Sequence, residues 1–123
     1  MHKTILLIDD DEEEQLILTE ALKETGTSVK CIYAVTIEEG MKMLQHLLPD
    51  FVFLDINMPI RNGFECLDII KRDKKLHKIP VIIYSTGVND SVFNKAIKRG
   101  AAACIKKEDN IKELADVLKR ILF

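Results

Sequence analysis

The sequence predicts an α/β fold: a doubly wound, five-stranded parallel sheet with five helices covering its two faces. Short, nearly continuous apolar runs recur near residues 4–8, 29–34, 51–54, 80–84 and 102–105, the pattern of strands covered on both sides. Segments with apolar residues at helical spacing separate these runs. Strand and helix therefore alternate along the whole chain, which requires crossover connections and hence parallel pairing.

The first run, Ile5-Leu6-Leu7-Ile8, ends in Asp9-Asp10-Asp11. Asp11 reads as the N-cap of a helix whose acidic first turn, Glu12 to Glu14, suits the helix macrodipole. Leu16, Ile17, Ala21 and Leu22 mark that helix, which stops at Gly26. After the second run, Thr36 and Glu39 stand at capping-box spacing, and Ile37, Met41, Leu44 and Leu48 mark the helix that follows. The third run, Phe51-Val52-Phe53-Leu54, leads into Asp55, then Ile56-Asn57-Met58-Pro59 and Gly63. Phe64, Leu67 and Ile70 mark a third helix, and Val92, Phe93, Ala96 and Ile97 a fourth that ends at Gly100. Ile111, Leu114, Ala115, Leu118, Ile121 and Leu122 give the clearest stripe, a fifth helix.

Composition narrows the function classes. A chain of 123 residues fits one domain with one core, here taken as 1–123. Its net charge of −2 gives no sign of direct nucleic-acid or membrane partners. No apolar stretch approaches the roughly 20 residues that span a bilayer. The N-terminus turns acidic too early for a signal peptide. Cys31, Cys66 and Cys104 follow no metal or disulfide spacing and read as reduced thiols, so a cytoplasmic location is expected.

Both acidic clusters fall where an apolar run ends, and in such sheets ligands bind beyond the carboxyl ends of the strands. Neighbouring first and third strands would bring Asp9, Asp10 and Asp55 together, a site for a hard divalent cation and an anionic substrate. Pro59 and Gly63 read as residues that shape the loop, and Met58 as packing.

The chain resembles the response-regulator receiver domains of two-component signalling, and among them the stand-alone chemotaxis regulators. The motifs that carry the likeness are Ile8-Asp9-Asp10, Leu54-Asp55-Ile56-Asn57-Met58-Pro59 with Gly63-Phe64-Glu65, Pro80-Val81-Ile82-Ile83-Tyr84-Ser85, and Gly100-Ala101 with Lys107. The resemblance implies a flavodoxin-like sheet of strand order 2-1-3-4-5. It implies that Asp55 takes a phosphoryl group from a sensor histidine kinase or a histidine phosphotransfer protein. Mg2+ would be held by Asp10, Asp55 and the Asn57 main-chain carbonyl, with Asp9 acting mainly through bound water. Lys107, seven residues after Gly100, would contact the phosphoryl group, as would the Ser85 hydroxyl; Lys106 and Thr86 are the neighbours that could exchange roles with them. Such a protein is no metabolic enzyme. It promotes only its own phosphorylation and dephosphorylation, and acts on a downstream protein target through its fourth helix, fifth strand and fifth helix. Lys95, Lys98, Arg99, Lys112 and Lys119 have two readings, as charges that colour that surface and as an ordinary solvated basic face. A receiver cut from a hybrid kinase or larger regulator would look the same.

Three positions depart from the family pattern. Cys104 stands where an aromatic residue often reports phosphorylation, Glu108 follows Lys107 where proline is common, and Thr86 is larger than the residue usually found after the hydroxyl. No cis bond is expected between Lys107 and Glu108, since non-proline cis peptides cost about 2.5–4 kcal/mol. Two other readings fare worse. An aspartate-nucleophile phosphohydrolase of the haloacid-dehalogenase type needs a second Asp two residues after the nucleophile, where Asn57 stands. A flavin carrier needs a hydroxyl-rich phosphate loop after the first strand, where three carboxylates stand instead.

Overall fold

Ile5, Leu6, Leu7 and Ile8 are each wholly buried, with Leu6 and Ile8 facing one core and Ile5 and Leu7 the other. Burial on both faces is what their uninterrupted apolar run requires, because side chains alternate along a strand. At about 1.5–3 kcal/mol for each such residue, these four together outweigh any single cap or surface ion pair. They lie in the first strand of the computed structural model, which describes residues 3–58, 62–107 and 110–123.

The strands are β1 (Lys3–Ile8), β2 (Val29–Ala34), β3 (Phe51–Leu54), β4 (Val81–Ser85) and β5 (Ala103–Lys106). The helices are α1 (Glu12–Glu24), α2 (Ile37–His46), α3 (Gly63–Arg72), α4 (Asp90–Lys98) and α5 (Ile111–Leu122). All strand pairs are parallel and the order is β2-β1-β3-β4-β5. The two expected later runs are each displaced by one residue, beginning at Val81 and Ala103. Helices α1 and α5 cover one face, through Leu18, Ala21, Leu22, Leu114, Leu118 and Leu122. Helices α2, α3 and α4 cover the other.

Local chemistry sets the helix ends. The side chains of Asp11, Thr36, Asn62, Asn89 and Asn110 each accept a main-chain N–H of the first turn. Gly26 and Gly100 take positive φ after α1 and α4, the conformation that glycine adopts without a steric penalty.

Four stripe residues do not face the core. Leu16 is 67% exposed and Leu48 57%, the latter beyond the end of α2. On α4, Phe93 and Ile97 are also exposed, and Ala96 with half-buried Val92 makes the contact instead. A nine-residue helix that rests on the sheet through so narrow a stripe leaves its other apolar residues outside. Part of the basic surface is tied down. Arg99 pairs with Asp68 of α3 at 2.7 Å, and the Lys95 ammonium lies 4.4 Å from the centre of the Phe64 ring.

Candidate functional site

The sheet register assembles the site. Ile8 pairs with Leu54, so the next residues, Asp9 and Asp55, leave adjacent strands side by side. The ladder continues one step further: Asp55 N–H donates to the Ile8 carbonyl at 3.0 Å, and Lys107 N–H to the Ser85 carbonyl at 3.0 Å. Strand order reverses between β1 and β3, the switch point at which α/β sheets bind ligands.

Asp9 and Ser85 are wholly buried and Asp55 is nearly so, whereas Asp10 is exposed. The Ser85 hydroxyl donates to Asp55 Oδ1 at 2.7 Å, and the Asn57 main-chain N–H donates to the same oxygen at 3.0 Å. Lys107 Nζ lies 3.3 Å from Asp55 Oδ2 and 2.7 Å from Asp9 Oδ2. Its neighbour Lys106 points to solvent, as strand alternation demands. Thr86 is exposed and makes no contact with Asp55 among the described residues; its carbonyl accepts from the Asn57 amide at 3.3 Å. The structure thus brings Asp9, Asp55, Ser85 and Lys107 into one cluster, with Asp10 at its rim. It gives Lys106 and Thr86 no part in it.

The electrostatics follow from burial. Desolvation pushes the Asp9 carboxyl up to about 6, against the opposing pull of Lys107 and of the Asp11 N–H. Burial also works against the Lys107 ammonium, but Asp9, Asp55 and Glu14 outweigh it and hold that group above the ordinary lysine range. Asp9 Oδ2 is held by the Lys107 ammonium at 2.7 Å as an ion pair. Asp9, Asp10 and Asp55 each offer a carboxylate oxygen within 4.8 Å of the others. Three carboxylates this close together, two of them sharing one ammonium, suit a hard divalent cation.

Gly63 explains the loop beneath Asp55. A Cβ there would lie 2.5 Å from the Asp55 carbonyl oxygen and 2.6 Å from Ile56 Cα. It therefore acts through geometry, as expected, and Met58 packs against the core. Pro59 and Glu108 lie outside the described residues, and so does the Lys107–Glu108 bond.

Two side-chain hydrogen bonds were not legible in the sequence. The Asn57 amide donates to Ser85 Oγ at 3.1 Å. This fills the position of a dehalogenase-type general acid with a group that has no proton to transfer. Tyr84, wholly buried, donates its hydroxyl to Glu14 Oε2 at 3.1 Å. Tyr84 pairs with Ile105 and faces the α1–α5 core, whereas Cys104 pairs with Ile83 and packs under the opposite helices. Tyr84 therefore cannot take the place of an aromatic at position 104. The usable signal was a strand run ending in Tyr, since a buried phenol needs a partner.

The family described as "Response regulator receiver domain" matches residues 5–119. The probable C4-dicarboxylate response regulator DctR of Bacillus subtilis is 31% identical over 105 residues, covering 82% of this chain and 46% of that protein. The chain spans less than half the length of the first curated relatives it matches. The phosphorylated cyanobacterial phytochrome response regulator RcpA superposes with a TM-score of 0.85 at 28% identity, covering 98% of this chain and 91% of that one. Response regulator Rcp1, solved in a Mn2+-bound form, gives 0.82 at 26% identity and covers 97% and 91% of the two chains. No helix among the described residues is long and apolar enough to cross a membrane. With its acidic cluster at the switch point of a β2-β1-β3-β4-β5 sheet, the chain belongs to the response-regulator receiver domains of two-component signalling.

Proposed function

We propose that Asp55 is the phosphoacceptor of a single receiver domain spanning 1–123, charged by a sensor histidine kinase or a histidine phosphotransfer protein in the cytoplasm. The observation that carries this reading is the convergence of Ser85 and Lys107 on the nearly buried Asp55 carboxylate, at 2.7 and 3.3 Å. In the step itself an Asp55 carboxylate oxygen attacks phosphorus and a P–O bond forms. The P–N bond of the phosphohistidine breaks, and the imidazole leaves with the electron pair and takes up a proton. Hydrolysis of the resulting acyl phosphate returns the carboxylate and inorganic phosphate, so the domain promotes only its own charging and discharge.

Asp10, Asp55 and the Asn57 main-chain carbonyl would hold Mg2+, with Asp9 acting mainly through water. Mn2+ binding by Rcp1 supports a divalent cation here. When bound, the cation screens the repulsion between carboxylate and phosphate. Lys107 then offers a point charge to a phosphoryl oxygen, and Ser85 turns its hydroxyl from Asp55 to another, drawing the loop at Thr86 inward. The signal passes to a downstream protein through the α4–β5–α5 surface.

Asp55→Asn should abolish labelling by acetyl phosphate in Mg2+; an undiminished signal would refute the assignment. Ser85→Ala should leave Mg2+ affinity nearly unchanged and weaken the conformational response to phosphorylation, read by amide chemical shifts. Parallel loss of Mg2+ binding would make Ser85 a structural residue instead.

A further inference from the structure

Glu14 is the third residue of α1, after the N-cap Asp11. A Glu at that position commonly reaches back to the N–H of its cap. Here that N–H is already taken, donating to Asp9 Oδ1 at 3.0 Å. The Glu14 carboxylate turns inward instead and accepts the Tyr84 hydroxyl at 3.1 Å. The Lys107 ammonium lies 5.7 Å from the centre of the same Tyr84 ring. Glu14 is half-buried, and its charge reaches Lys107, adding to the larger effects of Asp9 and Asp55. A third carboxylate thus competes for the ammonium that Asp9 and Asp55 share.

We infer that Tyr84 is a positioning residue: its hydroxyl holds the Glu14 carboxylate away from Lys107, leaving the ammonium to Asp9 and Asp55. The hydroxyl suits this task at any working pH, because burial first and the charge of Glu14 second hold it protonated well above the ordinary tyrosine range. The ring adds rigidity, packed at 6.0 Å between centroids against the wholly buried Phe53. With the hydroxyl removed, Glu14 loses its donor and is left to turn toward the Lys107 ammonium over the Tyr84 ring. The inference rests on the reading of Lys107 as the residue that serves Asp55.

The test is a cycle of Tyr84→Phe, Glu14→Gln and the double variant, with two readouts. One is the rate of Mg2+-dependent labelling by acetyl phosphate. The other is the Lys107 ammonium signal in side-chain NMR, which does not depend on phosphorylation. Tyr84→Phe should slow labelling about tenfold or more, the scale of a lost hydrogen bond to a charged group, and should shift the Lys107 signal. Glu14→Gln should label at the rate of the unmodified protein, and its Lys107 signal sets the reference for loss of the Glu14 charge. The double variant should match Glu14→Gln in both readouts, because no competing carboxylate remains. Simple loss of packing would leave the double variant as impaired as Tyr84→Phe, and that result overturns the inference. So does an unmoved Lys107 signal in Tyr84→Phe. If the unmodified protein takes no label while the Lys107 signal follows the expected pattern, the phosphoacceptor reading fails and the Tyr84 brace stands.

Discussion

Gly63 shows how closely one residue can be specified by its neighbours. A methyl group there meets the Asp55 carbonyl oxygen at 2.5 Å, and that neighbour is backbone, not a flexible side-chain tip. Overpacking of this kind costs about 1–3 kcal/mol. Gly63→Ala should lower unfolding stability by that amount in urea titrations and slow Asp55 labelling in parallel; a neutral effect would mean that the loop yields easily. The thiols offer a second test. Burial raises the Cys31 thiol to about 11 and moves Cys104 upward as well. Only the thiolate reacts, so alkylation of native Cys31 at pH 8 should be much slower than in the unfolded chain. Its rate should keep rising with pH beyond the range where an ordinary thiol has levelled off, since a raised pKa delays thiolate formation. Of the site residues, Asp9, Asp10 and Asp55 were legible because they follow apolar runs, whereas Ser85 and Lys107 were singled out from Thr86 and Lys106 only through the family likeness. The turn of Glu14 toward Tyr84 was not legible, because it depends on which N–H the Asp9 carboxylate accepts.

At the scale of elements, the apolar runs and stripes were sufficient to locate all ten strands and helices, the strand bounds to within one residue. Where reading by spacing went wrong, burial had been assigned to residues that the packing leaves outside, such as Leu16 and Phe93. Periodicity reveals that a helix has an apolar side, but the width of the buried stripe depends on how the helix rests on the sheet. Helix α1 has a further duty, because its N-terminus carries the acidic corner of the site. Asp11 caps it, accepting the Glu13 N–H at 3.0 Å. Asp11→Ala should cost about 0.5–2 kcal/mol of stability and weaken Mg2+ affinity through loosening of the Asp9–Asp10 turn. Loss of stability with metal affinity intact would separate the cap from the site.

For the molecule as a whole, parallel pairing performs the decisive step. Residues far apart in sequence meet because β1, β3, β4 and β5 end at one edge of one sheet. Strand order was legible only through the family likeness, since no local pattern says which strands are neighbours. The two cores divide the output problem. Cys104 packs beneath the α2–α4 layer and Tyr84 within the α1–α5 layer, so a signal from Ser85 to the proposed α4–β5–α5 surface would travel without the usual aromatic at position 104. The central claim is that Asp55 carries the phosphoryl group. The most direct measurement is borohydride trapping after treatment with acetyl phosphate and Mg2+, followed by peptide sequencing, because borohydride reduces an acyl phosphate to an alcohol. Homoserine at position 55, absent when the metal is chelated, is the expected result. An acid-stable phosphate, or homoserine at any other aspartate, would contradict it.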